Sequence, residues 1–233
     1  VQQVLDQVAA SSSTYAVTML GTRGAGLAQH EGYAGKNYDY LRTSDGANKF
    51  YSAGDFNFAY YLSSNSFTMS AGDSVFLLMG INPPIFAQAS DDGANTAALG
   101  LLSDIAAIIT SIRAAVSGIN VWVGLVIPPS HDQSAFGANY AGSTQYRARY
   151  NRNIGLLRRL LINTYAGSEA SNIRLCPVNC NLDSKNNMQV TTEALNAQNA
   201  TTRSVQSNGV HPAASGYKQI GDMLYCCLKS LES

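Results

Sequence analysis

Apolar residues recur along this chain at two alternating periods. Val1, Val4, Leu5 and Val8 are spaced as on one face of a helix, and the β-rich run Tyr15–Leu20 (YAVTML) follows, ending at Gly21. Val75–Met79 (VFLLM) and Val121–Ile127 (VWVGLVI) are near-continuous apolar runs of strand length, the pattern of parallel strands covered on both faces. Ile173–Val178 (IRLCPV) is a weaker fourth run. Between them, Leu101, Ile105, Ile108, Ile112 and Val116 form a helical stripe that stops at Gly118. Tyr146, Tyr150, Ile154, Leu157 and Leu161 form another that stops near Gly167. A last helix is expected to open at Pro212 and to carry Tyr217, Ile220, Leu224, Cys227 and Leu231 on one face.

Strands alternating with helices of this length predict an α/β fold, a doubly wound, flavodoxin-like parallel sheet in three layers with helices on both faces. No repeat, low-complexity tract or linker divides the chain, so residues 1–233 read as a single domain. Ligands of such sheets bind beyond the carboxyl ends of the strands. The loops after Leu20, Met79, Ile127 and Val178 are therefore where chemistry is expected.

Charge and cysteine content remove several function classes. Lys plus Arg number 15 and Asp plus Glu number 15, so no long-range field draws a nucleic acid or an anionic membrane, and neither is an expected partner. Uninterrupted apolar runs such as Ile105–Ile109 are too short to cross a bilayer, and the N-terminus lacks a signal-peptide pattern; a soluble chain is expected. Cys176, Cys180, Cys226 and Cys227 lack the paired spacing of a metal site and are too few for a disulfide scaffold, so buried free thiols are expected, with no metal and no cofactor.

Two loops hold groups suited to catalysis. Gly80-Ile81-Asn82 projects an Asn at the end of the Val75–Met79 strand, and Asn208-Gly209-Val210-His211-Pro212 places His211 in a loop just before the final helix. With GTRGAGLAQHEGYAGKNY after an earlier strand, LLMGIN at the end of the next and NGVHPAASGYKQIGDML entering the last helix, the chain resembles the SGNH hydrolases, or GDSL-type esterases. The run VGLVIPPSHDQSAFGANY and the later NLDSKNN resemble the acetylesterase-like branch of carbohydrate deacetylases and phage tail proteins. The resemblance implies a Ser-His ester hydrolase acting on an acylated carbohydrate in an extracellular or virion-associated setting. It also implies that His211 is the general base, that Asn82 donates a side-chain N–H to the oxyanion, and that Gly35 donates a backbone N–H, with Gly32 in the same loop as an alternative.

The chain departs from the family pattern twice. The family's Asp three residues before the His orients the imidazole; here Asn208 stands there, so a His–Asn pair, a weaker base, or a carboxylate recruited from elsewhere, with Asp183 and Asp132 as candidates, is expected. The tempting triplet Gly72-Asp73-Ser74 precedes its strand, which puts Ser74 roughly 15–20 Å from Asn82 at ~3.3 Å per residue, so Ser74 is rejected as the nucleophile. The family order places the nucleophilic Ser and the first, central strand upstream of Val1. Without that strand, buried backbone groups would each cost roughly 1–3 kcal/mol. A companion segment or chain supplying both strand and Ser is expected. The other reading is a catalytically silent structural or glycan-binding module of a phage tail or surface assembly.

Other features read as structural. His30-Glu31 is expected to shape its loop, Arg147, Arg149, Arg152, Arg158 and Arg159 to form a solvated helix face, and Tyr60, Tyr61 and Trp122 to pack. His131 follows the Val121–Ile127 strand and is read equally as a cleft residue or as plain surface.

Overall fold

Three of the four apolar runs meet in one parallel sheet. The computed structural model describes residues 1–11, 16–78, 84–139 and 146–232, excepting the side chains of Pro84, Phe86, Ala138 and Asn139. In chain order the elements are α1 (Gln2–Ala10), the hairpin β1 (Arg23–Ala25) and β2 (Ala28–His30), the hairpin β3 (Tyr51–Ser52) and β4 (Asp55–Phe56), α2 (Phe58–Ser64) and β5 (Ser74–Leu77). There follow α3 (Asp91–Ala115), β6 (Asn120–Gly124), α4 (Gln133–Asn139), α5 (Arg147–Tyr165), β7 (Ile173–Cys176), α6 (Val178–Asn181), the hairpin β8 (Val190–Asn196) and β9 (Asn199–Gln206), and α7 (Ala214–Lys229).

The parallel sheet runs β5–β6–β7, with Ser74 opposite Asn120 at the amino edge, and Leu77, Gly124 and Cys176 at the carboxyl edge. Period-two alternation sends Val121 and Val123 of β6 into a core with Ile105, Ile108 and Ile112 of α3 and Ile154, Leu157 and Leu161 of α5. Trp122 points the other way, against Val4 of α1 and Leu224, Cys227 and Leu228 of α7. Helices thus cover both faces of a parallel sheet, the three-layer α/β arrangement that the apolar pattern predicts. Each fully buried Ile contributes about 1.5–3 kcal/mol of hydrophobic stabilisation.

Local signals set the helix bounds. Ser90 caps α3 by accepting the Gly93 N–H, with Asp91 and Asp92 favourably placed in the first turn, and Gly118 takes a φ of 77° in the turn that leads into β6. As a whole helix, α3 has the length and apolar composition to cross a bilayer, which the uninterrupted runs alone did not suggest. Its residues Ala94, Ala98, Leu101, Ile105, Ile108, Ile109 and Ile112 instead lie buried, in the core it shares with α5 and β6.

Several boundaries differ from the sequence pattern. Residues 16–20 form no strand, and Tyr15 lies outside the described residues. Val17 and Met19 still pack on the α1/α7 side of the sheet while Ala16 and Thr18 are exposed, so the side-chain alternation of a strand survives with no ladder partner among the described residues. α7 begins at Ala214 rather than Pro212, because Pro212 is held in an antiparallel bridge with Met188 and the Ala213 N–H donates to the Asn187 carbonyl. Of the four cysteines, Cys176 and Cys227 are buried, but Cys180 and Cys226 are exposed.

Candidate active site

The loops at the carboxyl edge of the sheet are tied into one framework. Residues 125–130 follow β6 buried except for the half-buried Pro128, and the Ser130 N–H donates to the Gly209 carbonyl at 2.8 Å. His131 N–H donates to the Ser184 carbonyl at 3.1 Å, and Asp132 N–H donates to Gln206 Oε1 at 2.9 Å. Gln206 Nε2 in turn donates to the carbonyls of Ser184 and Lys185. Gly209 itself crosses α4 so closely that a Cβ there would stand 2.2 Å from the Phe136 Cα, closer than any side chain fits.

Two arginines of α5, Arg147 and Arg158, complete this framework and depart from the expected solvated face, on which Arg152 and Arg159 are exposed. Arg147 Nε donates to the Ser130 carbonyl at 2.7 Å, and Arg158 Nε donates to the Val126 carbonyl at 2.6 Å. Burial lowers the Arg158 guanidinium from its ordinary value. Arg152 reaches the Gln88 carbonyl and pairs with Asp91 at 3.3 Å, whereas Arg149 stacks on Tyr146.

His211 sits at the mouth of this framework with its side chain exposed. The Asn208 Oδ1 accepts the N–H groups of Val210 at 3.0 Å and His211 at 2.8 Å, so the Asn at this position shapes the loop backbone. The two carboxylates named as substitutes are also engaged locally. Asp183 accepts from the side chain and backbone of Asn186 and from Lys185, which hold it below the usual carboxylate range, and Asp132 accepts the Ser134 N–H at the start of α4. Neither makes a described hydrogen bond to the His211 ring.

The remaining candidates belong to other segments of the chain. Gly35 is exposed at a turn with φ 71°, closed by the Lys36 N–H donating to the Tyr33 carbonyl. The N–H of Gly32, its alternative, is taken by His30 Nδ1 at 2.9 Å. Asn82 lies outside the described residues. Ser74 stands at the amino edge of the sheet, where the Trp122 Nε1–H donates to its Oγ at 3.3 Å, about 10 Å of strand away from Leu77 at ~3.3 Å per residue.

Glu31 is a structural hub. Its side chain, only 9% exposed, accepts from the Thr22 N–H, the Tyr61 hydroxyl and the Tyr33 hydroxyl, with Arg23 at 3.9 Å. Burial first, and then the Glu31 charge, push the Tyr61 hydroxyl well above its ordinary pKa. His131 is exposed. Tyr61 packs in the aromatic cluster with Phe50 and Phe58 as expected, while Tyr60 is exposed. Among the described residues, no three His, Cys, Asp or Glu side chains gather as a metal site.

Sequence reasoning missed the β8–β9 hairpin, which stands beside the His211 loop. A groove of about 400 Å³ between it and the start of α4 is lined by Asp132, Ser134, Thr191, Glu193, Arg203 and Ser207. Arg203 and Glu193 pair across the hairpin at 2.7 Å. The signal available was two Thr- and Val-rich runs on either side of Asn196-Ala197-Gln198-Asn199.

These elements define an α/β three-layer domain whose loops converge at the carboxyl edge of a parallel sheet. No family model matches the chain, and no curated protein matches it. A solved structure from Agrobacterium tumefaciens str. C58, described as a putative arylesterase, is similar over 86% of this chain and 78% of its own, with a TM-score of 0.43 and 16% identity.

Proposed function

We propose that this chain is the larger part of an SGNH-type ester hydrolase that removes acetyl or similar acyl groups from a carbohydrate, with His211 as general base. The reading is carried by the His211 loop: an exposed imidazole at the carboxyl edge of a parallel sheet, its backbone pinned by Asn208, Ser130 and the Met188–Pro212 bridge. Pinning of that kind preorganises a base for a nucleophile delivered beside it.

The nucleophilic Ser comes from a segment outside residues 1–233: upstream residues of a longer chain, a proteolytic fragment or a separate polypeptide. Two observations support a companion strand. β5 pairs only with β6 among the described residues, and residues 16–20 keep strand-like alternation with no described backbone partner. A strand entering between them would pair both and would deliver its own carboxyl end to the His211 loop.

In the reaction, the imidazole takes the Ser hydroxyl proton as the oxygen attacks the acyl carbon. Gly35 N–H and the Asn82 amide hold the resulting oxyanion. The imidazolium then protonates the departing sugar oxygen as the ester C–O bond breaks, and water repeats the sequence to free the acid. An extracellular or virion-associated setting goes with this substrate class.

Hydrolysis of an aryl acetate, together with denaturing mass spectrometry of the purified material, tests the reading. The expected result is turnover abolished by His211→Ala, and a fluorophosphonate label on a Ser of the companion segment. Turnover indifferent to His211→Ala, or a cooperative fold with no companion segment, refutes it. The open groove between the β8–β9 hairpin and the start of α4, lined by Asp132, Thr191, Glu193 and Arg203, favours a second reading, a silent glycan-binding module. Glycan binding without turnover supports that one.

A further inference from the structure

Cys176 closes β7 and Cys227 lies two residues from the end of α7, yet their sulfurs are 3.3 Å apart and share a hydrogen bond. Both are buried, in the cluster formed by Val4, Trp122 and Leu224 on the α1/α7 side of the sheet. We propose that Cys176 and Cys227 form a disulfide when the chain meets a disulfide oxidant such as oxidised glutathione. The inference goes beyond the ester-hydrolase reading and does not depend on it.

The geometry asks little of the fold, since the sulfurs must close by roughly 1.3 Å to reach a bond of about 2.05 Å. The exposed thiols are poorer candidates. Cys226 adjoins Cys227 in the helix but is exposed, and Cys180 is exposed on α6. Cys227 is the more readily ionised of the pair because its hydrogen bond with Cys176 stabilises the thiolate, while the same bond and burial raise Cys176. Its place near a helix end, where fraying is easiest, gives the oxidant access.

The step balances as thiol–disulfide exchange. The Cys227 thiolate attacks one sulfur of oxidised glutathione and displaces a glutathione thiolate. The Cys176 thiolate then attacks Cys227 Sγ in the mixed disulfide and displaces the second. Two S–H bonds become one S–S bond, and two glutathione thiols leave with the two protons and two electrons. The closed loop spans the 51 positions that separate the two residues and encloses α6, the β8–β9 hairpin and the His211 loop.

The experiment is incubation of the folded chain with oxidised or reduced glutathione, alkylation in denaturant, and peptide mapping by mass spectrometry beside thermal unfolding. The expected result is a peptide linking Cys176 to Cys227, with Cys180 and Cys226 outside the linkage, and a Tm several degrees higher in the oxidised sample. Cys227→Ser removes both the linked peptide and the redox dependence of Tm; Cys226→Ser leaves both. Alkylation of all four thiols after oxidation, or a linkage of Cys227 to Cys226 or Cys180, overturns the proposal. The wild-type peptide map decides the question even where Cys227→Ser does not fold.

Discussion

Removing the Asn208 side chain tests how the His211 loop is held. Asn208→Ala deletes one oxygen that accepts two backbone N–H groups, at 3.0 and 2.8 Å. A neutral hydrogen bond nets about 1 kcal/mol, and a buried donor left unmade costs about 1–3 kcal/mol. Val210 is buried and its N–H loses its partner inside the protein, whereas the exposed His211 N–H finds water. The sum is about 2–4 kcal/mol, which in a chain of this size lowers Tm by roughly 4–16 °C. Asn208→Asp keeps both acceptor bonds and strengthens them with charge, so its Tm stays close to wild type at neutral pH. Thermal unfolding reads the first quantity, and hydrogen exchange at Val210 and His211 localises it, with protection lost in the Ala variant and kept in the Asp variant. An Ala variant with wild-type Tm and unchanged protection refutes the reasoning, because the loop would then be held by something other than this oxygen.

Further outcomes follow from the packing, the charges and the thiol pair. Ile108→Ala opens a cavity in the fully buried face of α3 and costs about 2–5 kcal/mol by denaturant unfolding. Gly155→Ala in α5 meets no atom within 4 Å and gains about 0.5–1 kcal/mol of helix stability, whereas Gly221→Ala in α7 puts its Cβ 2.5 Å from the Gln3 Cβ and loses Tm as α1 is pushed away. Asp55 is held below its ordinary pKa by the Arg42 fork, at 2.8 Å to each oxygen. Its contribution is therefore present above the unfolded Asp value near ~3.9 and is lost as pH falls through the depressed folded value. Because Asp55 is half exposed, Asp55→Asn costs under about 1 kcal/mol near neutrality, and the difference from wild type vanishes in acid urea titrations. Closing the Cys176–Cys227 bond adds about 4 kcal/mol by the chain-entropy estimate for a loop of this length, read as the difference between oxidised and reduced unfolding curves.

The parts of the fold legible in the sequence are those whose burial is uniform along an element. β6 is buried at every residue, and α3 keeps one face in the core for its full length, so each writes its period plainly. The β8–β9 hairpin is exposed almost throughout, and with no apolar face it leaves no period to read. Residues 16–20 show the reverse failure, because alternation is a property of the segment but a ladder needs a partner. Pro212 reads as a helix opener by local preference and is overridden by a bridge to Met188, 24 positions earlier. At the site, the position of His211 before the last helix was legible from Pro212 and its neighbours. The destinations of polar groups were not: nothing in the order of residues says that Asn208 serves two amides of its own loop, or that Arg147 and Arg158 end on carbonyls beyond β6.

Trp122 is the chain's single tryptophan, and it sits where the sheet meets its second helical layer. Its ring stacks at 5.7 Å on Phe76 of β5, its Nε1 is bonded to Ser74, and the Arg174 guanidinium lies 5.8 Å from its centroid. Indole emission therefore comes from one known place, with β5 on one side and a cation on the other. Under the companion-strand proposal, a strand docking on β5 is expected to shift that emission before any substrate is added, which makes the indole an optical gauge of that docking.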